Sequence, residues 1–201
     1  MGVRQLLRKQ HYIANERLLD EMIRRCIRAF LEAGLAHDQP LRAVEHAMAY
    51  ALLYNRDLSC ILEDLDDPPS TAHRNLYSRL VVLLADECFV KMPILTGRDL
   101  RIAFETWEAT AEHRSALSEC GKQFRLLKKA DAKWIGDLRD NVIGHRDLAV
   151  AKQWRLMQEL DVERIHQLSL GLLAWTNSLY GLLSDVLKHR TVCVKASRKD
   201  A

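Results

Sequence analysis

The sequence predicts an all-α protein, folded as an antiparallel helical bundle, and three observations indicate this. Four prolines and eight glycines are few helix-breaking residues for a chain of 201 residues. No segment shows the β-branched alternation that is typical of a strand. Apolar residues make up 48% of the chain and recur at helical spacing. We expect one bundle domain over residues 1–190 and a basic tail over residues 191–201.

The first two helices are predicted on either side of a short loop. The first helix runs from about Arg4 to Leu35 and stops at Gly34 and the following loop, 36–39. Pro40 lies early in the second helix, where its missing N–H costs nothing. The second helix carries one apolar stripe, made up of Leu41, Val44, Met48, Ala51, Leu58, Leu62 and Leu65.

The third helix follows the acidic, proline-bearing stretch 66–70. Ser70 or Thr71 is predicted to cap it, and Pro93 is predicted to end or kink it. Glu87 falls on its apolar stripe and needs a partner if that stripe is buried. The apolar residues that share this face are Leu76, Leu80, Leu83 and Val90.

The fourth helix is predicted to begin with Thr96 as its N-cap and Asp99 in an acidic first turn. The helical pattern continues to about His145, with a break near Gly121.

The last helix is predicted to open at Asp161 and to run to about His189. Its apolar stripe is the clearest in the chain and consists of Ile165, Leu168, Leu172, Trp175, Leu179, Leu182 and Val186. A stripe of this length packs either in the bundle core or against a second copy of the chain, and this helix is the first candidate for a dimer interface.

Charge and composition exclude several classes of protein. A net charge of +3 is compatible with a polyanionic partner but does not require one. The five scattered cysteines fit reduced thiols, and no export signal or membrane-spanning run is visible, so we expect a cytoplasmic protein. Glycine-rich phosphate loops are missing. One Glu-x-x-His pair, Glu163 with His166, leaves a metal-bound bundle enzyme as a third hypothesis, although no metal or other cofactor is predicted.

The segment 138–147, LRDNVIGHRD, carries the functional prediction. The imidazole of His145 exchanges a proton near neutral pH, and Arg139 offers a permanent charge to a phosphate, so the pair suits RNA cleavage. On a regular helix these two side chains point roughly 120° apart. The structural alternative is therefore that His145 is a histidine at the edge of the core and Arg139 a surface ion-pair donor.

This segment resembles the motif of the HEPN superfamily, especially of its abortive-infection and toxin–antitoxin members. The resemblance implies an up-and-down bundle with additional helices and a metal-independent endoribonuclease. In that reading Arg139 and His145 are catalytic, and Asp140 and Asn141 orient the pair or the substrate. The ending Arg146-Asp147 matches the family pattern, with Asp147 as an accessory residue and Arg146 contacting RNA.

The same resemblance implies partners. We expect a second copy of the chain in a homodimer, an RNA substrate and a cognate antitoxin protein. We expect no membrane partner. Because many HEPN domains have lost catalysis, the alternative is an inactive helical module that binds a protein or a nucleic acid.

A basic stripe precedes the motif on the predicted fourth helix. It consists of Lys122, Arg125, Lys129 and Lys133, opposite the apolar side. We predict that this stripe contacts the RNA backbone, with a solvated surface as the alternative. Trp134 points toward the apolar side and is predicted to lie in the core.

Overall fold

The computed structural model describes residues 3–140, 155 and 158–197, and it describes side chains within 14–140, at 155 and within 158–193. All of the described secondary structure is helical, which confirms the predicted fold class. The helices delimited within these residues are α1 (Val3–Leu35), α2 (Gln39–Asp66), α3 (Thr71–Leu95), α4 (Arg98–Thr106), α5 (Ala111–Leu138) and α6 (Val162–Ser197).

Helices α2, α3, α5 and α6 pack around a common core, and each is antiparallel to its two neighbours. Contacting residues run in opposite directions along each pair, as in Asn55–Asn177 and Asp66–His166 between α2 and α6, and Cys120–Trp175 and Asp131–Arg164 between α5 and α6. Helix α1 packs along α2, and the short α4 packs on α2 and α3. The direction of the chain thus alternates around the core.

The apolar stripe predicted for α2 lies in this core. Its members from Val44 to Leu65 are buried, and only Leu41 at its start is partly exposed. Other faces of α2 are buried too, because α1, α3, α4 and α6 all contact it. Pro40 stands in the first turn, as predicted, and Asp38 caps the helix by accepting the Leu41 N–H at 3.0 Å.

The turn that ends α1 differs from the prediction. Gly34 is still helical, and the left-handed residue is His37, with a φ of 56°. Ser70 is confirmed as the cap of α3, since its hydroxyl oxygen accepts the His73 N–H at 3.3 Å. Pro93 does not stop α3, which continues to Leu95.

The N-cap of α4 was predicted wrongly, whereas Asp99 lies in its first turn, as predicted. Thr96 ends α3 instead, donating its hydroxyl to the Met92 carbonyl at 2.8 Å, and Gly97 is the N-cap of α4. A side chain at Gly97 would bring its Cβ within 2.9 Å of the Pro93 carbonyl oxygen, so the close approach of the two helices requires glycine here.

The break predicted near Gly121 lies earlier in the chain. Helix α4 ends at Thr106, Glu108 adopts a left-handed φ of 51°, and Thr110 caps α5 by accepting the His113 N–H at 3.3 Å. Gly121 lies inside α5. A left-handed residue is usually a glycine, and a glycine in the sequence would have indicated the turn. Here the left-handed residue is a glutamate, so the sequence did not indicate the turn.

The face predicted as the apolar side of α3 is exposed. Leu80 and Leu83 are 37% and 39% exposed, and Leu76 and Val90 are more exposed still. Helix α3 buries a second apolar set instead, formed by Val81, Val82, Ala85, Cys88, Phe89 and Met92. Glu87, on the exposed face, forms an ion pair with Lys91.

Helix α6 uses its apolar stripe in the core. Every member is buried except Leu182, which is partly buried. Of the two predicted alternatives, the stripe therefore packs in the bundle core, and a second copy of the chain cannot contact it. The helix begins beside Asp161, as predicted, and Asp161 caps it by accepting the Arg164 N–H at 2.9 Å. The helix continues beyond His189 to Ser197. Of the described helices, none is both long and apolar enough to span a bilayer.

Candidate functional site around Arg139

Arg139 follows directly on the last residue of α5. Ile135 is fully buried and Leu138 packs against the core, so the end of this helix is anchored. The Arg139 N–H still bonds to the carbonyls of Ile135 and Gly136, and the helix widens into a π-helical turn at residues 139–140. The guanidinium therefore projects from a fixed backbone.

Two carboxylates hold the Arg139 guanidinium. Its Nη1 donates to Asp86 Oδ2 of α3 at 2.8 Å, while Nε and Nη2 donate to Asp140 Oδ1 at 2.9 and 2.8 Å. These contacts raise the pKa of Arg139 above its ordinary value, the hydrogen bond to Asp140 contributing most and that to Asp86 next. The arginine is thus permanently charged and fixed in direction.

Exposure distinguishes the two partners. The Arg139 side chain is 42% exposed, that of Asp86 is 22% exposed and that of Asp140 is 60% exposed. One positive and two negative charges leave this group with a net charge of −1. A phosphate adds further negative charge to this group and so favours displacement of one carboxylate, and the more exposed Asp140 is the easier one to displace.

The predicted site residues are only partly brought together. Arg139 and Asp140 are in direct contact. His145, Asn141, Arg146 and Asp147 lie outside the described residues.

Asp86 is the residue that sequence reasoning missed. It lies 53 positions before Arg139, on a helix whose polar flank gave no sign of a long-range partner. Only the pairing of α3 with α5 brings the two residues together.

The predicted basic stripe lies on the exposed surface of α5. Lys122, Arg125, Lys129 and Lys133 are all exposed, and Lys122 lies 3.7 Å from Glu119. Trp134, predicted to lie in the core, is partly buried and packs against it, and the Arg164 guanidinium lies 4.1 Å from the centre of its ring. The stripe therefore has the solvent access that a polyanion would need.

The Glu-x-x-His pair of α6 makes structural contacts. His166 Nε2 lies 3.2 Å from Asp66 Oδ1 of α2, and Glu163 accepts a hydrogen bond from Gln167. Within the described part of the chain, no three His, Cys, Asp or Glu residues are grouped to hold a metal ion.

Searches of protein-family models, curated proteins and solved structures found no match to this chain. Its function is therefore inferred from the residues around Arg139 and from the resemblance of the segment 138–147.

Proposed function

We propose that the chain is a HEPN-like, metal-independent endoribonuclease of a toxin–antitoxin or phage-defence system, in which Arg139 and His145 act on an RNA phosphodiester. The observation that supports this most is the placement of Arg139. It stands at the anchored end of a long helix, is partly exposed, and is held in one orientation by carboxylates on both sides. A fixed guanidinium is suited to stabilise the charge of a transition state.

The chemistry assigned to the pair uses the RNA itself as the nucleophile. His145 accepts the proton of a 2′-hydroxyl, and the 2′-oxygen attacks the adjacent phosphorus. The bond from phosphorus to the 5′-oxygen breaks, and this oxygen takes a proton from water, while His145 passes its own proton to the hydroxide that remains. The products are a 2′,3′-cyclic phosphate and a 5′-hydroxyl end. Arg139 stabilises the negative charge on the phosphoryl oxygens during the attack.

In this scheme the two carboxylates have different roles. Asp140, the more exposed of the two, gives up its place to the phosphate when RNA binds. Asp86 keeps its contact with Nη1 and so holds the guanidinium in position. Asp86 is therefore a positioning residue.

Cleavage of end-labelled RNA in the presence of EDTA tests the proposal. We expect the wild-type protein to produce 2′,3′-cyclic phosphate ends, and we expect Arg139→Ala and His145→Ala to reduce the rate by at least about a hundredfold. Arg24→Ala, which removes an exposed arginine from α1, is the matched control and should cleave normally. Equal activity of all four proteins would refute the assignment, as would activity that EDTA abolishes.

A homodimer belongs to the same proposal, with α3 as its interface. The exposed face of α3 carries apolar side chains at positions 76, 80, 83, 90 and 94, with Glu87 between them. The spacing alternates between four and three residues, as it does along the seam of two helices in a coiled coil. Such a face fits another helix lying along it.

We assign this face to a second copy of the chain because Asp86, which holds Arg139, stands on the same helix. On a helix with about 100° per residue, Asp86 lies roughly 80° from the middle of the exposed face. We expect the pairing of two α3 helices to bring both Arg139 groups toward one axis. A cleft shared by two copies is what the family resemblance implies.

The second candidate function is an inactive module of the same fold that binds a protein, such as an antitoxin, or a nucleic acid. One observation favours it: three hydrogen bonds to two carboxylates occupy the Arg139 guanidinium and neutralise its charge. If Asp140 does not give way, Arg139 is a structural ion pair. Partner binding without any RNA cleavage is the result expected in that case.

A further inference from the structure

A cleft of about 490 Å³ lies between the end of α3, helix α4 and the middle of α5. Phe104 of α4 and Phe124 of α5 line it, and both belong to the buried core. Pockets that hold small ligands measure roughly 300–1,000 Å³ and are walled mainly by apolar groups. The cleft has the size and the apolar wall that such a ligand needs.

Cationic side chains dominate the polar lining of this cleft. Arg101 comes from α4, and Arg114, Arg125 and Lys128 come from α5. Glu105 is the one acidic residue among those that line it. Four positive charges and one negative charge leave a net charge of +3 around the cleft, and such a concentration of positive charge attracts anions.

Carboxylates elsewhere in the described structure neutralise several arginines. Arg56 pairs with Asp20 and Asp57, Arg164 with Asp131, and Arg190 with Asp38. In contrast, no described carboxylate oxygen lies within 4.0 Å of a charged nitrogen of the four cleft cations. The cleft therefore retains the positive charge that the protein cancels at those other sites.

Backbone carbonyls hold three of the cleft cations in place. Arg101 Nε donates to the Gly97 carbonyl at 3.3 Å, and Lys128 Nζ donates to the Phe89 carbonyl at 2.8 Å. Arg114 Nη1 donates to the carbonyl of Ala109. Each contact uses one donor and leaves the others for a ligand, since a guanidinium has five N–H donors and an ammonium has three.

We infer that this cleft binds phosphate groups, either those of a small phosphorylated molecule or those of an RNA backbone. Guanidinium groups hold phosphate oxygens through paired hydrogen bonds, and the fixed stems reduce the entropy lost on binding. Helix α4 also begins at the edge of the cleft, at Gly97, with no side chain capping its first N–H groups. This end of the helix adds a partial positive charge.

The cleft is separate from the Arg139 site. Arg125 and Arg139 are 14 residues apart on the same helix, which corresponds to about 21 Å along its axis. Binding in the cleft thus does not depend on whether Arg139 takes part in RNA cleavage.

Titration calorimetry with inorganic pyrophosphate tests the inference, together with binding of a labelled single-stranded RNA. The cleft variant is Arg101→Ala with Arg125→Ala. Its matched control is Arg24→Ala with Arg28→Ala, which removes the same charge from exposed positions of α1 that do not line the cleft. We expect the cleft variant to bind pyrophosphate about tenfold or more weakly than the control does. Circular dichroism checks that both variants fold.

Competition between the probes identifies the source of the phosphate. If the RNA backbone is the natural ligand, pyrophosphate displaces the RNA, and the cleft variant loses more RNA affinity than the control. If a small molecule is the ligand, pyrophosphate binds but does not displace the RNA. The inference is overturned if the wild-type protein binds neither probe, or if the cleft variant binds both as tightly as the control does.

Discussion

Arg139 is held between a partly buried carboxylate, that of Asp86, and an exposed one, that of Asp140. The different roles that we propose for the two aspartates rest on this difference in exposure. Asp86 is anchored on α3, whereas Asp140 is the next residue along the chain and faces solvent. A phosphate that displaces Asp140 relieves the excess negative charge without releasing the arginine from Asp86. If Asp140 stays in place, the contacts of Arg139 with Asp86 and Asp140 are simple ion pairs at the surface.

Replacement of each aspartate by asparagine separates these roles. We expect Asp86→Asn to reduce the rate of RNA cleavage at saturating RNA by about tenfold, because the guanidinium loses the contact that aims it. Asp140→Asn should instead lower the KM, since the phosphate then displaces a neutral group. Single-turnover kinetics with each variant measure both quantities.

Both variants should unfold in urea much as the wild-type protein does, because ion pairs this exposed contribute little to stability. Equal effects of the two substitutions on rate and KM would contradict the division of roles.

The cysteines illustrate how burial fixes the chemistry of single residues. Cys26, Cys88 and Cys120 are buried, as free cysteines often are. Burial is the largest cause that raises the pKa of Cys26 and of Cys88 to about 12, and that of Cys120 to about 11. These thiols stay protonated at neutral pH and act as small core residues.

At the scale of the helix, α3 carries apolar residues on two faces, and neighbouring helices cover only one. Met92 is fully buried, while Val90, two residues earlier, is 56% exposed. Helical periodicity identified an apolar face but could not say which face meets α2 and α5. That choice depends on contacts between residues far apart in the sequence.

A pair of alanine substitutions on α3 measures the difference between its faces. Met92→Ala should lower the free energy of unfolding by about 2–5 kcal/mol, because it leaves a cavity in the core. Val90→Ala should change it by less than about 0.5 kcal/mol in the monomer, since the lost side chain is largely solvated. Urea unfolding at low protein concentration gives both values, and similar losses would contradict this assignment of faces.

The helix ends show where local sequence signals were sufficient. Ser70 caps α3 as predicted, and α6 begins beside Asp161 as predicted, because a side chain that accepts an N–H three residues later is a local interaction. The turn at Glu108 was missed because the residue with the left-handed backbone is a glutamate and not the glycine that usually marks such a turn. Asp86 could not be found from sequence because its partner comes from another helix.

At the scale of the whole molecule, α2, α3, α5 and α6 form the core of the bundle. The described helices leave the exposed apolar face of α3 uncovered. Large apolar side chains that line up on one exposed face generally mark an interaction surface. The heptad spacing of this face and its position on the same helix as Asp86 are the basis of our proposal that a second copy of the chain packs on it. Helix α6, the sequence-based candidate for the interface, cannot serve through its apolar stripe, which lies in the core.

Light scattering after size exclusion tests this dimer through the mass of the particle. We expect the wild-type protein to have the mass of two chains, and Leu80→Lys with Leu83→Lys to have the mass of one, because the burial of two ammonium groups in the seam is too costly. Leu126→Lys is the matched control: Leu126 is 61% exposed on α5, away from this face, so the variant should remain dimeric. A wild-type protein that is monomeric at every concentration, or a dimeric double variant, would exclude α3 as the interface. If the monomeric variant also loses RNA cleavage while the Leu126→Lys protein keeps it, both copies contribute to the active site.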